Sequence, residues 1–316
     1  MRESELLAHI YGRSQRLAGA ASGGAKIVVG PGDDCAVVES PGGEPLLLKV
    51  DQVVGGRHFG ADAPVDAIAR KAIARAVSDI AAMGGAPMVS LCGAVLPHGY
   101  GQADALFDAM HEWAGAFGCP LVGGDISMLA EGQAGPLVLG VTIVGRPHAL
   151  RGPVLRSTAR VGDEVYVTGQ LGNSRASGRH MTFEPRLREA AWLCDALGAN
   201  LHAMMDVSDG LGRDAGRMGE ASGVVLELRA DALPMHADCP DWRRAAGEGE
   251  DYELLFCVDA GAGGKLPATG PPQGPPTRFT RIGRVVAPGA KEQAGSVIVA
   301  PDGQRVPAGE MGWEHG

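Results

Sequence analysis

Acidic side chains recur beside glycine, or at the ends of apolar runs, throughout this chain. Six short segments share the pattern: Gly32-Asp33-Asp34, Asp51, Ser78-Asp79, Gly123-Gly124-Asp125, Asp206-Val207-Ser208-Asp209 and Gly249-Glu250-Asp251. Mg²⁺ requires oxygen ligands and usually keeps substrate phosphates in its coordination shell. Two carboxylates about 4 Å apart repel by roughly 4 kcal/mol at an effective dielectric constant near 20, so a converging set of them needs a cation. The pattern therefore predicts a magnesium and nucleotide site assembled from segments far apart in the sequence.

Some of these acids also have simpler explanations. Asp33 and Asp34 follow a Pro-Gly dipeptide, and a solvated turn explains them on their own. Asp79 is harder to explain in that way, because a buried carboxylate in an apolar helix costs several kcal/mol unless it is paired or metal-bound. A helix N-cap needs one side chain, so capping accounts for only one of Asp206 and Asp209. The start of the helix that follows also offers backbone N–H groups to a phosphate.

Three further side chains have both a structural and a functional interpretation. His58 is either a hydrogen-bonded structural histidine or a substrate contact. Arg156 is either an exposed arginine or a fork that binds phosphate. Trp313 stands out because aromatic residues make up only 4% of the chain, and it is either a packing plug or a stacking surface for a flat ring.

Composition narrows the class of protein. The chain has 316 residues, 45% of them hydrophobic and 21% charged, as in an ordinary globular protein. Its net charge of -9 and its lack of basic runs argue against nucleic-acid and anionic-membrane partners. Six scattered cysteines without a C-x-x-C pair predict reduced thiols, and no apolar stretch is long enough to span a membrane. These features predict a cytoplasmic soluble protein.

The elements that must position the acids form two units. Apolar runs and helical periodicity predict, for the first unit, strands at 46–50, 89–96 and 137–144 and helices at 4–12, 66–83 and 103–117. Strand signals stop at 145–153 and resume in a second unit. Its predicted strands are 164–168, 202–206, 223–229, 252–258 and 281–286, and its predicted helices are 186–197 and one starting at 209. The glycine-rich stretches 16–32 and 259–279 are expected to be loops. We therefore expect two α+β domains, at 1–147 and 148–316.

Several motifs, taken in order, resemble one family. They are Gly30-Pro31-Gly32-Asp33-Asp34, Asp51 with His58-Phe59, Ser78-Asp79-Ile80-Ala81-Ala82-Met83-Gly84, Gly123-Gly124-Asp125, Val167-Thr168-Gly169, Asp206-Val207-Ser208-Asp209-Gly210-Leu211 and Glu250-Asp251-Tyr252-Glu253-Leu254-Leu255-Phe256. This series is similar to that of the thiamine-monophosphate kinases, a family of the aminoimidazole-ribonucleotide-synthetase-like (AIR-synthase-like) superfamily. The Ser78–Gly84 and Gly249–Phe256 motifs are specific, whereas the single glycine pairs are not.

The resemblance implies a fold, a reaction and an assembly. The fold is a two-domain AIR-synthase-like α+β structure, with an N-terminal mixed sheet and a C-terminal α/β sandwich domain. The reaction is direct transfer of the γ-phosphoryl group of ATP onto the phosphate of thiamine monophosphate, which gives thiamine diphosphate. The assembly is a homodimer that pairs the N-terminal sheets.

The resemblance also assigns roles to positions of this chain. The residues that would hold several Mg²⁺ ions are Asp34, Asp51, Asp79, Asp125, Asp206 and Asp209, among which Asp34, Asp79, Asp125 and Asp209 are expected to be catalytic and to line one cleft. The residues that would contact ATP are Gly124, Asp125, Arg156, Ser208 and Phe107. The residues that would face the thiamine substrate are His58, Glu250 and Trp313.

The chain departs from the family pattern at Lys49 and Val50, where relatives usually carry hydroxyl residues that contribute oxygens to metal. A lysine two residues before Asp51 shares its strand face. If this lysine replaces a metal cation, it should lie within salt-bridge reach of Asp34 or Asp51. Two alternatives to the implied function stay open: an AIR-synthase-like ligase or kinase acting on another small molecule, and a nucleotide-binding relative with weakened catalysis.

Overall fold

Two seven-stranded mixed sheets, with helices packed between and against them, make up the protein. The structure is a computed structural model and describes residues 3–14, 19–267, 269–290 and 292–313. Three buried hydrophobic clusters form the core: one beneath each sheet and a third where the two halves of the chain meet. Within the described residues, no helix is both long enough and apolar enough to cross a bilayer.

The first sheet is built from residues 21–147 in the strand order β1-β2-β3-β4-β7-β5-β6. Its strands are β1 (Ala21–Ser22), β2 (Ala25–Val29), β3 (Ala36–Glu39), β4 (Pro45–Val54), β5 (Gly85–Leu96), β6 (Leu121–Met128) and β7 (Val138–Pro147). The helices of this half are α1 (Glu3–Ser14), α2 (Val65–Ala82) and α3 (Ala103–Ala116). Neighbouring strands are antiparallel except β5 and β6, which are parallel.

The second sheet is built from residues 164–307 in the order β14-β13-β10-β12-β8-β11-β9. Its strands are β8 (Glu164–Thr168), β9 (Leu201–Asp206), β10 (Val225–Arg229), β11 (Leu254–Val258), β12 (Phe279–Val286), β13 (Gly295–Val299) and β14 (Arg305–Pro307). The helices are α4 (Ser174–Ser177), α5 (Leu187–Leu197), α6 (Leu211–Ser222) and α7 (Trp242–Gly247). β9 and β11 are buried along their whole length.

Helix α2 joins the two halves of the molecule. It contacts β4, β5 and β7 of the first sheet, β9 of the second sheet, and helices α3 and α5. Ile73, Val77 and Ile80 are fully buried, and burial of such side chains contributes about 1.5–3 kcal/mol each. The helix ends before Gly84, whose φ of +66° suits glycine and where a Cβ would lie 2.7 Å from the Sγ of Cys194. α2 is therefore a rigid support for the polar side chains it carries.

The sequence located most of these elements. The helices and strands expected in the middle of each unit are present, and α2 stops at the predicted glycine pair. The expectation of a loop from 16 to 32 is wrong for residues 19–32, which contain β1 and β2; residues 16–18 lie outside the described residues. β6 is not among the predicted strands, because its central glycines conceal it. The domain boundary at 147/148 stays a prediction.

Candidate active site

Strand β4 and helix α2 face each other through two ion pairs. Lys49 and Asp51 lie two residues apart on the strand, and Arg75 and Asp79 lie one turn apart on the helix. Lys49 Nζ is 2.7 Å from Asp79 Oδ1. Arg75 binds Asp51 in a bidentate manner, with Nε 2.9 Å from Oδ2 and Nη2 3.3 Å from Oδ1. Each element thus supplies one cation and one carboxylate to the other.

This arrangement corrects one expectation about Lys49. The lysine shares a face with Asp51, as period-two alternation predicts, but its ion-pair partner is Asp79 rather than Asp34 or Asp51. The physical reason is that Arg75 already occupies both carboxylate oxygens of Asp51. The neighbouring Val50 faces away from α2 and is 63% exposed, so it lies outside the ion-pair layer.

Three buried carboxylates, those of Asp34, Asp79 and Asp206, meet beside the Lys49–Asp79 pair; we call them the carboxylate cluster. One oxygen of each lies within 4.8 Å of the others. They come from the turn after β2, from α2 and from the end of β9, and none is more than 7% exposed. Asp206 Oδ2 accepts a hydrogen bond of 2.6 Å from the hydroxyl of Ser78. Asp34 Oδ2 is buried and has no hydrogen-bond partner among the described residues.

The electrostatics of the cluster favour an added positive charge. Burial, together with the nearby charge of Asp34, raises the pKa of Asp206 to about 7. Burial also raises the pKa of Asp79 well above its usual range, although Lys49 opposes the rise. Carboxylates that resist ionisation in this way, with an unpartnered oxygen among them, fit a divalent cation with oxygen ligands.

Arg156 connects the cluster to the turn between β2 and β3. Its guanidinium forms an ion pair with Asp34, and its backbone N–H donates to Asp33 Oδ2 at 3.2 Å. Burial and the charge of Asp34 raise the pKa of Asp33 to about 7. A buried, always protonated guanidinium beside a cation site is suited to binding a phosphate oxygen.

The segment after β9 is fixed by an aspartate that sequence reasoning missed. Asp214, fully buried in α6, accepts hydrogen bonds from the backbone N–H groups of Ser208 and Asp209 at 3.0 and 2.9 Å. Arg217 lies 2.6 Å from Asp209 and 3.0 Å from Asp214. Burial and the charge of Asp209 raise the pKa of Asp214 to about 8. The one sequence signal for Asp214 was an acid inside the first turn of a helix made mostly of small residues.

A cavity of 540 Å³ lies next to the carboxylate cluster and contains the residues expected to face the acceptor. His58, Glu250 and Trp313 line it, together with Arg57, Arg75, Arg175, Ser208, Asp209, Asp241, Arg243, Arg244, Gly247, Glu248, Gly249 and Tyr252. His58 Nδ1 accepts the backbone N–H of Val54 at 2.9 Å, and burial with the nearby Arg75 lowers its pKa to about 4. This histidine is therefore neutral at physiological pH.

Trp313 forms the exposed rim of the cavity. The guanidinium carbons of Arg175 and Arg57 lie 5.0 and 5.6 Å from its ring centroid, and its backbone N–H donates to the carbonyl of Asp209 at 2.8 Å. These contacts tie the last described residues of the chain to the cavity. Trp313 is 44% exposed, so it can serve as a stacking surface rather than as a core plug.

Glu250 is held by a lysine that the sequence did not single out. Lys71 of α2 is completely buried, and its ammonium lies 2.7 Å from Glu250 Oε1, from His180 Nδ1 and from the carbonyl oxygen of His58. Burial raises the pKa of Glu250, but the adjacent imidazole of His180, with Nδ1 3.2 Å from Oε2, and the charge of Lys71 outweigh it and lower the value to about 2. Glu250 has a φ of +67°, a strained backbone conformation for this residue type.

Three expected nucleotide or metal contacts lie apart from these groups. Asp125 is exposed on β6. It belongs to a row of paired residues that crosses the sheet through Gly93 on β5 and Gly140 on β7 to Gln52 on β4. Three strand spacings of about 4.8 Å therefore separate it from the β4 row by roughly 14 Å. The structure brings Asp34 and Asp79 together with Asp206, not with Asp125, whose role stays a prediction.

The other two expected contacts, Gly124 and Phe107, also stay predictions. A Cβ on Gly124 would lie 1.8 Å from the carbonyl oxygen of Cys92, so the close approach of β5 and β6 requires glycine there. Phe107 is half-buried on α3 and packs against the core beneath the first sheet.

Similarity to known proteins agrees with this geometry. Residues 32–146 match the family described as AIR synthase related protein, N-terminal domain. The thiamine-monophosphate kinase of Rhodopirellula baltica is 35% identical over 303 residues, covering 90% of this chain and 89% of that protein. The chain belongs to the thiamine-monophosphate kinase family of enzymes. The kinase of Escherichia coli K12 is 30% identical and covers 92% of both chains.

Solved structures place the whole chain in the same fold. The structure of AaThiL complexed with AMPPCP and TMP covers 100% of this chain and 97% of that chain, with 26% identity and a TM-score of 0.79. The expected two-domain AIR-synthase-like fold is thereby confirmed for this member of the thiamine-monophosphate kinase family, and the structure shows that both sheets are mixed. Pairing of the N-terminal sheets in a dimer stays a prediction.

Proposed function

We propose that this chain phosphorylates thiamine monophosphate with ATP, giving thiamine diphosphate and ADP, by direct in-line transfer in a multi-magnesium site. The observation that carries the proposal is the carboxylate cluster, with its unpartnered oxygen, next to a cavity lined by the three residues expected to face the acceptor. Arg75 and Ser208 line the cavity and flank Asp79 and Asp206, so the two sites adjoin. The complex of AaThiL with AMPPCP and TMP supports the same pair of ligands.

The residues of the cluster fit magnesium. Asp34, Asp79 and Asp206 supply only oxygen donors, and the unpartnered Asp34 Oδ2 is a ready ligand. Bound there, Mg²⁺ would neutralise the charge of the polyphosphate and hold its oxygens in place. Asp125 and Asp209, the latter beside Arg217, are the further proposed ligands for ions that enter with ATP, whereas Asp51 is already paired with Arg75.

The chain's own groups would orient the donor. Arg156 lies beside Asp34 and can donate to a phosphate oxygen, as can the backbone N–H groups at the start of α6. Asp214 fixes Ser208 and Asp209 through their backbone N–H groups, which sets the position of that turn. Positioning and charge neutralisation supply most of the catalysis in phosphoryl transfer.

The acceptor needs little proton chemistry. A phosphate monoester has a second pKa near 6, so an acceptor oxygen is already ionised at neutral pH and no general base is required. This oxygen forms a bond to the γ-phosphorus as the bond to the β–γ bridging oxygen breaks, and ADP leaves. Neutral His58, ionised Glu250 and the ring of Trp313 would hold the thiamine part of the acceptor.

We also propose a homodimer that pairs the first sheet of each chain. Large apolar side chains are exposed on β4, β5 and β6: Val50 (63%), Leu91 (42%), Val122 (62%), Ile126 (54%) and Met128 (61%). The strand register puts Val50 and Leu91 on one face of the sheet, while Ile126 and Met128 belong to the opposite face at the edge strand β6. Exposed apolar side chains at a sheet edge are typical of an interface. Sedimentation should show a dimer, and Val122→Asp should shift it towards monomer. A wild-type monomer at all concentrations would contradict this assembly.

Turnover by the purified chain tests the proposed reaction. With ATP, Mg²⁺ and thiamine monophosphate, we expect one thiamine diphosphate per ADP, measured by chromatography. Unphosphorylated thiamine and a nucleoside monophosphate should be poor acceptors. Consumption of ATP with release of inorganic phosphate and no thiamine diphosphate would favour the ligase alternative instead. Binding of ATP without any turnover would favour the weakened relative.

A further inference from the structure

We infer that Lys49 and Arg75 are resident cations that take the place of divalent ions on the Asp51–Asp79 side of the site. The protein itself then holds its divalent ion only at the carboxylate cluster, and any further ions arrive with ATP. This inference rests on the proposed function, because it concerns the ions of the same site. It concerns the number of metal ions rather than the acceptor.

The Lys49 ammonium excludes a divalent ion from one side of Asp79. Its Nζ lies 2.7 Å from Oδ1, and the side chain is only 23% exposed. A magnesium ion about 2.1 Å from the same oxygen would lie no more than about 4.8 Å from the ammonium nitrogen. Two positive charges at that separation repel strongly when water is excluded. Oδ1 of Asp79 is therefore committed to the lysine.

Arg75 occupies the position on Asp51 where a metal ion would bind. Both oxygens of Asp51 accept from the guanidinium, and Oδ1 also accepts the backbone N–H of Gln52 at 2.9 Å. Arg75 also donates to the carbonyl oxygen of Gln52 at 3.1 Å, which fixes the fork in place. A metal ion at Asp51 would have to displace a bidentate, always charged group.

On the opposite side of the cluster Arg156 pairs with Asp34 Oδ1 only, so the second oxygen of Asp34 carries no cation from the described residues. Asp34 Oδ2 is buried without a hydrogen-bond partner in the described part of the chain, and Asp206 is held by a neutral hydroxyl. We therefore expect the protein to hold one divalent ion beside Asp34 and Asp206. Lys49 and Arg75 supply the positive charge on the Asp51–Asp79 side. Such a chain should need less free Mg²⁺ than one that has oxygen donors at position 49.

Manganese binding to the full chain, counted by electron paramagnetic resonance without ATP or acceptor, tests the inference. We expect one tightly bound Mn²⁺ per wild-type chain and one more in Lys49→Ser, which frees Asp79 Oδ1 and adds a hydroxyl. Lys49→Arg keeps the cation and should match the wild type. Lys26→Ser, at an exposed position on β2 of the same sheet, is the matched control and should also match.

The unfolding temperature gives a second readout. Freeing Asp79 from its lysine should make Lys49→Ser less stable without metal, and Mg²⁺ should restore the loss, whereas the wild type should respond less to Mg²⁺. Equal Mn²⁺ counts in wild type and Lys49→Ser would overturn the inference, and so would two ions in the nucleotide-free wild type. The wild-type count stands even if Lys49→Ser fails to fold. Since no acceptor is present, failure to phosphorylate thiamine monophosphate is a separate result.

Discussion

The carboxylate cluster and the surroundings of Glu250 adjoin through Arg75, but they shift the pKa values of their buried acids in opposite directions. In the cluster, burial and neighbouring carboxylates raise the pKa of Asp206 to about 7. Around Glu250, Lys71, His180 and Arg175 surround a single carboxylate, and its pKa falls to about 2. One region therefore has excess negative charge, and the other has excess positive charge.

This difference indicates what each region binds. An acidic cluster with an unpartnered oxygen requires a metal cation, and the phosphates of ATP follow the metal. A cavity with arginines at its rim and a lysine behind its acid attracts an anion, such as the phosphate of the acceptor. The proposed transfer would take place where the two regions meet, so substitutions in either region test it.

The largest effect is expected from Asp79→Asn. The substitution removes a carboxylate charge that would bind the metal and nearly keeps the side-chain volume. We therefore expect kcat/KM to fall by on the order of 10²–10³ while the fold is kept. Steady-state kinetics at limiting Mg²⁺, with circular dichroism as the check on folding, measures this. Asp104→Asn, an exposed acid in α3, is the matched control. Near-normal turnover of Asp79→Asn would count decisively against the cluster as the metal site.

Lys71→Met should weaken the other region. It leaves Glu250 buried without its ammonium partner, and breaking such a pair costs about 3 kcal/mol of unfolding free energy. Because the glutamate loses its fixed orientation, KM for the acceptor should rise by about tenfold, while KM for ATP stays close to the wild-type value. Chemical denaturation and kinetics with each substrate varied in turn measure both effects. Lys26→Met is the control, and equal rises in the two KM values would refute a role specific to the acceptor.

A smaller effect is expected in the acid stability of Glu250→Gln. The folded-state pKa of Glu250 lies near 2, below its ordinary value of 4.5. The stability from its ionised form is therefore fully present above pH 4.5 and is lost as the pH falls towards 2, at most about 3 kcal/mol. Glu250→Gln should flatten the decline in unfolding free energy between pH 6 and pH 3. Denaturation curves that decline in parallel for the two proteins would contradict this account.

The sequence predicted the individual acids better than their pairing. Asp34 and Asp206 could be named because acids near element ends are poor packing residues, and Asp79 because a carboxylate in an apolar helix needs a partner. Arg75 and Lys71 were not singled out, since a cation on an apparently amphipathic helix is expected to face solvent. Their burial depends on α2 being enclosed by both sheets, which no local pattern reveals. The Lys49–Asp79 pair could not be predicted for the same reason, because it depends on how α2 packs against β4.

The most direct test is a crystal structure of the chain with Mn²⁺, a non-hydrolysable ATP analogue and thiamine monophosphate, using the anomalous signal of manganese. We expect an anomalous peak within coordination distance of Asp34, Asp79 and Asp206. We also expect the acceptor in the cavity beside Glu250 and Trp313, with its phosphate directed towards that peak. A manganese ion bound elsewhere with the cluster empty, or an acceptor outside the cavity, would contradict the proposed site.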